Sequence, residues 1–179
     1  MRINQYIALL DTCVLAPMPV ADTLLRLACE PSFYTPRWSA DILEELRATP
    51  CKFGYSEVQI AHRVGQMQAA FPDAEVQGYR QLIGSMKINQ RDRHVLAAAV
   101  RCGANCIVSN NKKHFPADSL AEFGMECLTA NEFIEHQYHL NPDLFIDILD
   151  GQARDIGWTI PQLIARHCPC LARLIVIKG

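Results

Sequence analysis

Asp92 is the acidic residue whose surroundings most need explaining. It stands at the start of the strongest helical pattern in the chain, which runs to about Cys102, and successive helical residues advance by about 100°. With Asp92 as origin, Val95, Leu96, Ala99, Val100 and Cys102 gather around its direction, while Arg93, His94 and Arg101 point away. An aspartate on an apolar face is rarely buried unless it is paired or holds a metal. Helix capping also favours aspartate in a first turn, but a cap needs no inward phase. The same projection separates two neighbouring glutamates. Trp38, Ile42, Leu43 and Leu46 form the apolar stripe of a helix over 40–48; Glu45 lies at its border and Glu44 nearly opposite. Glu45 is therefore the site candidate and Glu44 the solvated one.

Asp11 ends the run Tyr6–Leu10, which is apolar on both faces, as a strand inside a parallel sheet would be. Ligands of open parallel sheets gather at the carboxyl ends of strands, where the following helices begin. The polar loop Ser109–Asn111 follows a second short apolar run, Cys106–Val108, and is predicted for the same edge. Asp92, at a helix start, joins them. Carboxylates brought together repel one another unless a cation relieves them. Hard oxygen ligands without a His or Cys set favour Mg²⁺ or Mn²⁺ over Zn²⁺. Such ions chiefly serve phosphoryl chemistry. Ordinary turn chemistry is the alternative account of Asn110 and Asn111.

The elements that must position these groups alternate in type. Helices are predicted over Ala21–Cys29, over 40–48 with Ser39 as N-cap, over Ser56–Phe71, from Asp92 to Cys102 with Gly103 as the stop, and over Asn131–Tyr138. Short strands are expected at Tyr6–Leu10, Phe33–Thr35, Cys106–Val108 and Met125–Leu128, whereas Ala74–Lys87 reads equally as strand or helix. Alternation of this kind implies an α/β fold on a mainly parallel sheet. From Asn141 the pattern is helical only, broken at Gly157 and at Pro169. Residues 141–179 are accordingly expected as a C-terminal helical extension to a domain over 1–140. Its stripe of Leu144, Phe145, Ile148 and Leu149 leaves open whether it packs on the domain or on a partner.

Composition limits the alternatives. The chain has 179 residues, 50% apolar and 20% charged, which is globular and sufficient for one well-buried domain. With 19 acidic and 17 Lys or Arg residues the net charge is −2, so bulk charge offers no case for nucleic-acid binding. Apolar runs are too short for a membrane span, and Asp11 interrupts the first of them before a signal peptide could form. The eight cysteines include no C-x-x-C pair. They are expected to be reduced, mostly buried small hydrophobes in a cytoplasmic protein, and His167-Cys168-Pro169-Cys170 lacks a second ligand pair at zinc spacing. Tyr34, Trp38 and Phe115 could stack on bases, although core packing is the simpler expectation.

Four segments together resemble the PIN-domain nucleases, in particular the VapC-like toxin branch: "LLDTCVL" at 9–15, "SADILEEL" at 39–46, "RDRHVLAAAVRCGANCIVSNNKKHFP" at 91–116, and the strand–helix pair at 125–138. The resemblance covers roughly residues 4–138, and its third segment is the most specific. It implies a three-layer α/β/α sandwich and a Mg²⁺- or Mn²⁺-dependent endoribonuclease leaving 5′-phosphate and 3′-hydroxyl ends. It also implies an RNA substrate, an antitoxin partner and a homodimer. Carried over by motif, Asp11, Glu45 and Asp92 are the metal-binding acids. Asn111 occupies a position where many members carry aspartate, and His114 stands where a subset carries an acidic residue. Both departures reduce the negative charge and leave a catalytically degenerate RNA- or protein-binding module as the alternative. Ser109, Asn110, Lys112 and Lys113 are candidates for substrate contact, with Arg91 and Arg93 nearby. An aspartyl phosphatase of the haloacid-dehalogenase type would require a second aspartate two residues after Asp11, where Cys13 stands.

Overall fold

The computed structural model describes residues 6–49, 54–167, 169, 171 and 172. Among them, a four-stranded sheet runs in the order β2-β1-β3-β4 with every pairing parallel: β1 (Ile7–Leu10), β2 (Thr35–Arg37), β3 (Cys106–Val108) and β4 (Glu126–Leu128). Helices surround it, making an α/β sandwich with C-terminal helices. The central strands β1 and β3 are almost wholly buried, which is why they read as unbroken apolar runs. From β1 the chain moves to β2 on one side, and β3 leads to β4 on the other. The crevice between the carboxyl ends of β1 and β3 is thus the point where the winding reverses.

Strand β2 begins later than the expected Phe33–Thr35. Phe33 donates its N–H to Leu27 O at 2.9 Å and the Tyr34 hydroxyl bonds Leu24 O at 2.8 Å, so both residues close the turn from the preceding helix. Pro36 is accommodated because β2 is an edge strand, where a missing N–H costs no ladder bond.

The helices follow the capping signals closely. They are α1 (Thr12–Leu15), α2 (Val20–Ala28), α3 (Ala40–Arg47) and α4 (Glu57–Ala70), then α5 (Arg93–Cys102), α6 (Ala117–Ala121), α7 (Ala130–Leu140), α8 (Pro142–Ile156) and α9 (Ile160–His167). Ser39 caps α3 by accepting from Ile42 N at 3.2 Å. Ser56 with Gln59, and Thr129 with Glu132, form capping boxes on α4 and α7. Gly103 ends α5 at φ 65°, a left-handed conformation that glycine adopts without a Cβ clash. The ambiguous 74–87 segment is neither regular strand nor α-helix. It makes one parallel bridge, Trp38 to Glu75, and then a 3₁₀ turn over Arg80–Ser85 that packs on α5.

The C-terminal stripe turns inward. Phe145 and Leu149 of α8 are buried in the common core, and α8 packs on α2 and α7. Thr23 in α2 donates to Gln152 Oε1 at 2.7 Å in the buried seam, and Gln152 returns a bond to Pro19 O at 3.1 Å. Gly157 ends α8 as expected, but Pro169, Leu171 and Ala172 are helical, against the break expected at Pro169. Tyr34, Trp38 and Phe115 are all core residues. Cys106 and Cys127 are buried, Cys13 and Cys102 partly so, and Cys29 is exposed; each is a free thiol. Cys51, Cys168 and Cys170 lie outside the described residues, as does the side chain of His167. Among the described residues, no helix is long and apolar enough to cross a membrane.

Candidate active site

Pairing of β1 with β3 sets Leu10 beside Val108, and this register fixes the next residue of each strand at the edge. Asp11 N donates to Val108 O at 3.1 Å, and Ser109 N to Leu128 O at 2.8 Å. The Ser109 hydroxyl, fully buried, then donates to Asp11 Oδ2 at 2.7 Å. Asp11 Oδ1 accepts the Thr12 N–H at 2.7 Å, so the same carboxylate caps α1. The Cys13 thiol completes the set, 3.2 Å from Asp11 Oδ2.

Thr12 ties this cluster to α3. Its hydroxyl donates to Glu45 Oε2 at 2.6 Å while its N–H holds Asp11, so one residue spaces two carboxylates drawn from separate elements. The other glutamate oxygen, Oε1, lies 3.0 Å from His94 Nε2 in the first turn of α5. Asp92 sits at the N-cap position of α5 without making a side-chain cap bond; its Oδ1 is 3.3 Å from His114 Nδ1. Its carboxylate is therefore not consumed by capping. It is partly exposed rather than centred on a buried face.

The electrostatics follow from these contacts. Burial pushes the Asp11 carboxyl above its ordinary value, and the Glu45 charge adds to this; bonds from Ser109, Cys13 and Thr12 offset part of it. Burial acts upward on Glu45 too, but the His94 and Thr12 hydrogen bonds outweigh it and hold that carboxyl low. Burial acts downward on His94, yet Glu45 at its Nε2 draws it up overall. The Cys13 thiol is pushed up to about 12 by burial and by the Asp11 charge, which leaves it a neutral donor. Among the described residues, neither Asp11, Glu45 nor Asp92 is paired with Lys or Arg.

The remaining candidates divide by what they touch. Asn111 is exposed, with its N–H on Ser109 Oγ at 3.2 Å. Asn110 uses its side-chain carbonyl to accept Ala130 N at 3.1 Å, at the start of α7. Lys112 pairs with Glu132 at 2.9 Å, whereas Lys113 and Arg91 are exposed. Arg93 bonds Ile88 O at 3.1 Å.

A divalent cation suits this donor set in type. The oxygens are hard, and two adjoining carboxylates carry charge that no Lys or Arg among the described residues pairs with. The set is not a closed cage: among the described residues, no three His, Cys, Asp or Glu side chains form a group able to hold an ion. Mg²⁺ commonly needs only one or two carboxylates, with water and substrate phosphate completing its shell. Asp11 and Glu45 are the two carboxylates that such a shell would use.

Comparison with known proteins gives one local likeness. A stretch of 63 residues is 46% identical to a Mycobacterium tuberculosis protein named "Putative ribonuclease VapC50". That stretch is 35% of this chain and 37% of the relative. The likeness is partial. No protein-family model matches the sequence, and no solved structure matches it.

Sequence reasoning missed three residues of this cluster: Thr12, Cys13 and His94. His94 is the clearest correction, because helical phase sends it away from the site. That projection assumes one buried face, whereas α5 also buries Ala97 and Ala98 and is covered outside by the 3₁₀ turn over Arg80–Ser85. On a helix covered from both sides, phase does not distinguish site from solvent. Thr12 had a readable signal: a hydroxyl next to an edge aspartate, at a helix start.

Proposed function

We propose that this chain is an endoribonuclease that hydrolyses RNA phosphodiester bonds with Mg²⁺ or Mn²⁺ held by Asp11, Glu45 and Asp92, and that it acts as the toxin of a toxin–antitoxin pair. The observation that carries this reading is the Thr12 bridge between Asp11 and Glu45. It keeps two carboxylates, without a Lys or Arg counter-charge among the described residues, at the crevice where the sheet winding reverses. The partial likeness to a protein named as a ribonuclease supports the same chemistry.

A bound divalent ion would supply positive charge against the scissile phosphate and make an attacking water more acidic. The chain's own residues do the rest. Ser109 and the Thr12 N–H hold Asp11 in one orientation, and Thr12 Oγ fixes its spacing from Glu45. Asp92 offers a third carboxylate from α5. Asn111 adds a neutral amide at the rim, able to orient water without adding charge. Exposed Arg91 and Lys113 offer cations to an RNA backbone. An antitoxin protein and a second copy of the chain belong to this proposal as partners, and the cytoplasm as its location.

The test is cleavage of single-stranded and structured RNA in Mn²⁺ by wild type and Asp92→Asn. The variant is expected to keep its circular dichroism spectrum and lose cleavage by at least 100-fold. Undiminished cleavage by Asp92→Asn would overturn the mechanism. A second reading, an RNA- or protein-binding module with a degenerate site, is favoured by Asn111, by the contact of Asp92 with His114, and by the lack of a three-ligand group among the described residues. RNA binding by the wild type with no turnover in Mn²⁺ would select it.

A further inference from the structure

Glu45 lies on the exposed flank of α3, with nearly half its side chain open to solvent. A glutamate so placed ordinarily samples several rotamers, and holding it in one costs side-chain entropy. Here both oxygens are engaged, Oε2 by the Thr12 hydroxyl at 2.6 Å and Oε1 by His94 Nε2 at 3.0 Å. A carboxylate only accepts hydrogen bonds, so the proton facing it must sit on His94 Nε2. The other ring nitrogen, Nδ1, is buried with no hydrogen-bond partner among the described residues. A polar atom removed from water without a partner works against folding. An apolar side chain would fill the same space without that penalty. The ring is therefore badly suited to a packing role, and among the described residues its one polar side-chain contact is Glu45.

We propose that His94 is a positioning residue, which with Thr12 sets the Glu45 carboxylate in the orientation that a cation shared with Asp11 requires. The inference rests on the reading of Asp11 and Glu45 as a cation-holding pair. Each Glu45 oxygen keeps a second lone pair beyond its hydrogen bond, so clamping leaves it free to ligate. Partners that orient a ligand in this way typically contribute 10- to 100-fold to metal affinity or activity.

The experiment measures Mn²⁺ binding to the full chain by titration calorimetry and by the paramagnetic resonance signal of free Mn²⁺. It compares wild type, His94→Leu, His94→Gln, Glu45→Gln and the double variant His94→Leu/Glu45→Gln. His94→Leu is expected to weaken Mn²⁺ binding by about tenfold or more while the circular dichroism spectrum stays that of the wild type. His94→Gln, which retains an N–H donor, should recover most of the loss. In the double variant His94→Leu should add nothing to Glu45→Gln, because it acts through that carboxylate. With RNA, the His94→Leu loss should fall on kcat and leave KM nearly unchanged. Unaltered or tighter Mn²⁺ binding in His94→Leu, with weakened binding in Glu45→Gln, overturns the role of His94 and leaves the carboxylate pair standing. Unaltered binding in both variants, or none in the wild type, overturns the pair and His94 together. Should His94→Leu fail to fold, His94→Met, which fills similar depth without a donor, is judged by the same criteria.

Discussion

Asp11 bears a larger electrostatic penalty than its neighbour Glu45. It is 7% exposed, near another carboxylate, and its three bonds only partly offset that burial. Its native pKa stands above the ordinary value of 3.8, so between those two values the folded chain binds more protons than the unfolded one. Stability contributed by this residue therefore falls as pH rises through that window and is lowest above it. In EDTA at pH 7, Asp11→Asn should melt higher than wild type by about 2–4 °C, corresponding to about 1 kcal/mol. The difference should vanish below the ordinary value, where both states of the wild type hold the proton. A calorimetric pH series from 3 to 8 measures this, and an Asp11→Asn protein less stable than wild type at pH 7 would contradict it. Glu45 runs the other way: its native carboxyl is held low, so its stabilisation is present at neutral pH and is lost on acidification.

At the scale of elements, helix starts organise the site edge. Asp11 begins α1 and the Ser109 loop reaches the start of α7 through Asn110, while Asp92 begins α5 with its carboxylate beside His114. Thr129 and Glu132 close the capping box there, and Lys112 leans on the same glutamate. Thr129→Ala should cost about 1 kcal/mol, a fall of about 2–4 °C in thermal unfolding. Asn110→Ala should likewise lower thermal stability and leave RNA affinity nearly unchanged in a filter-binding assay, because its side chain serves α7. A selective loss of RNA affinity in Asn110→Ala would instead assign it to substrate. Much of this level was readable beforehand. Ser39, Ser56 and Gly103 sit where capping chemistry demands them, and the apolar runs at 7–10 and 106–108 are strands. The 74–87 segment was not readable, since its form is set by packing on α5 rather than by a period of its own.

For the whole molecule, the C-terminal helices complete the core. Phe145 stacks edge-on against Tyr138 at 5.6 Å and Phe33 at 6.5 Å, joining α8 to α7 and to the turn before β2. Phe145→Ala should cost about 3–5 kcal/mol in urea unfolding, through lost burial and the cavity left behind. Thr23→Val leaves Gln152 Oε1 without its buried donor and should cost about 1–3 kcal/mol. If α8 instead unfolded in a separate transition, Phe145→Ala would shift only that transition, and the shared core would be refuted.

Read from residue types and spacing alone, this chain already determined its alternation of strand and helix and its caps. Those properties depend on local periodicity and on hydrogen bonds within a few residues. Which acids meet was decided only by the tertiary structure. The β1–β3 register joins Ser109 to Asp11, and Thr12 joins Asp11 to Glu45. A helix covered from two sides carries His94 to Glu45, and Asp92 is left beside His114. Contacts between residues 22 to 98 positions apart depend on how whole elements pack, and no local period in the sequence encodes that.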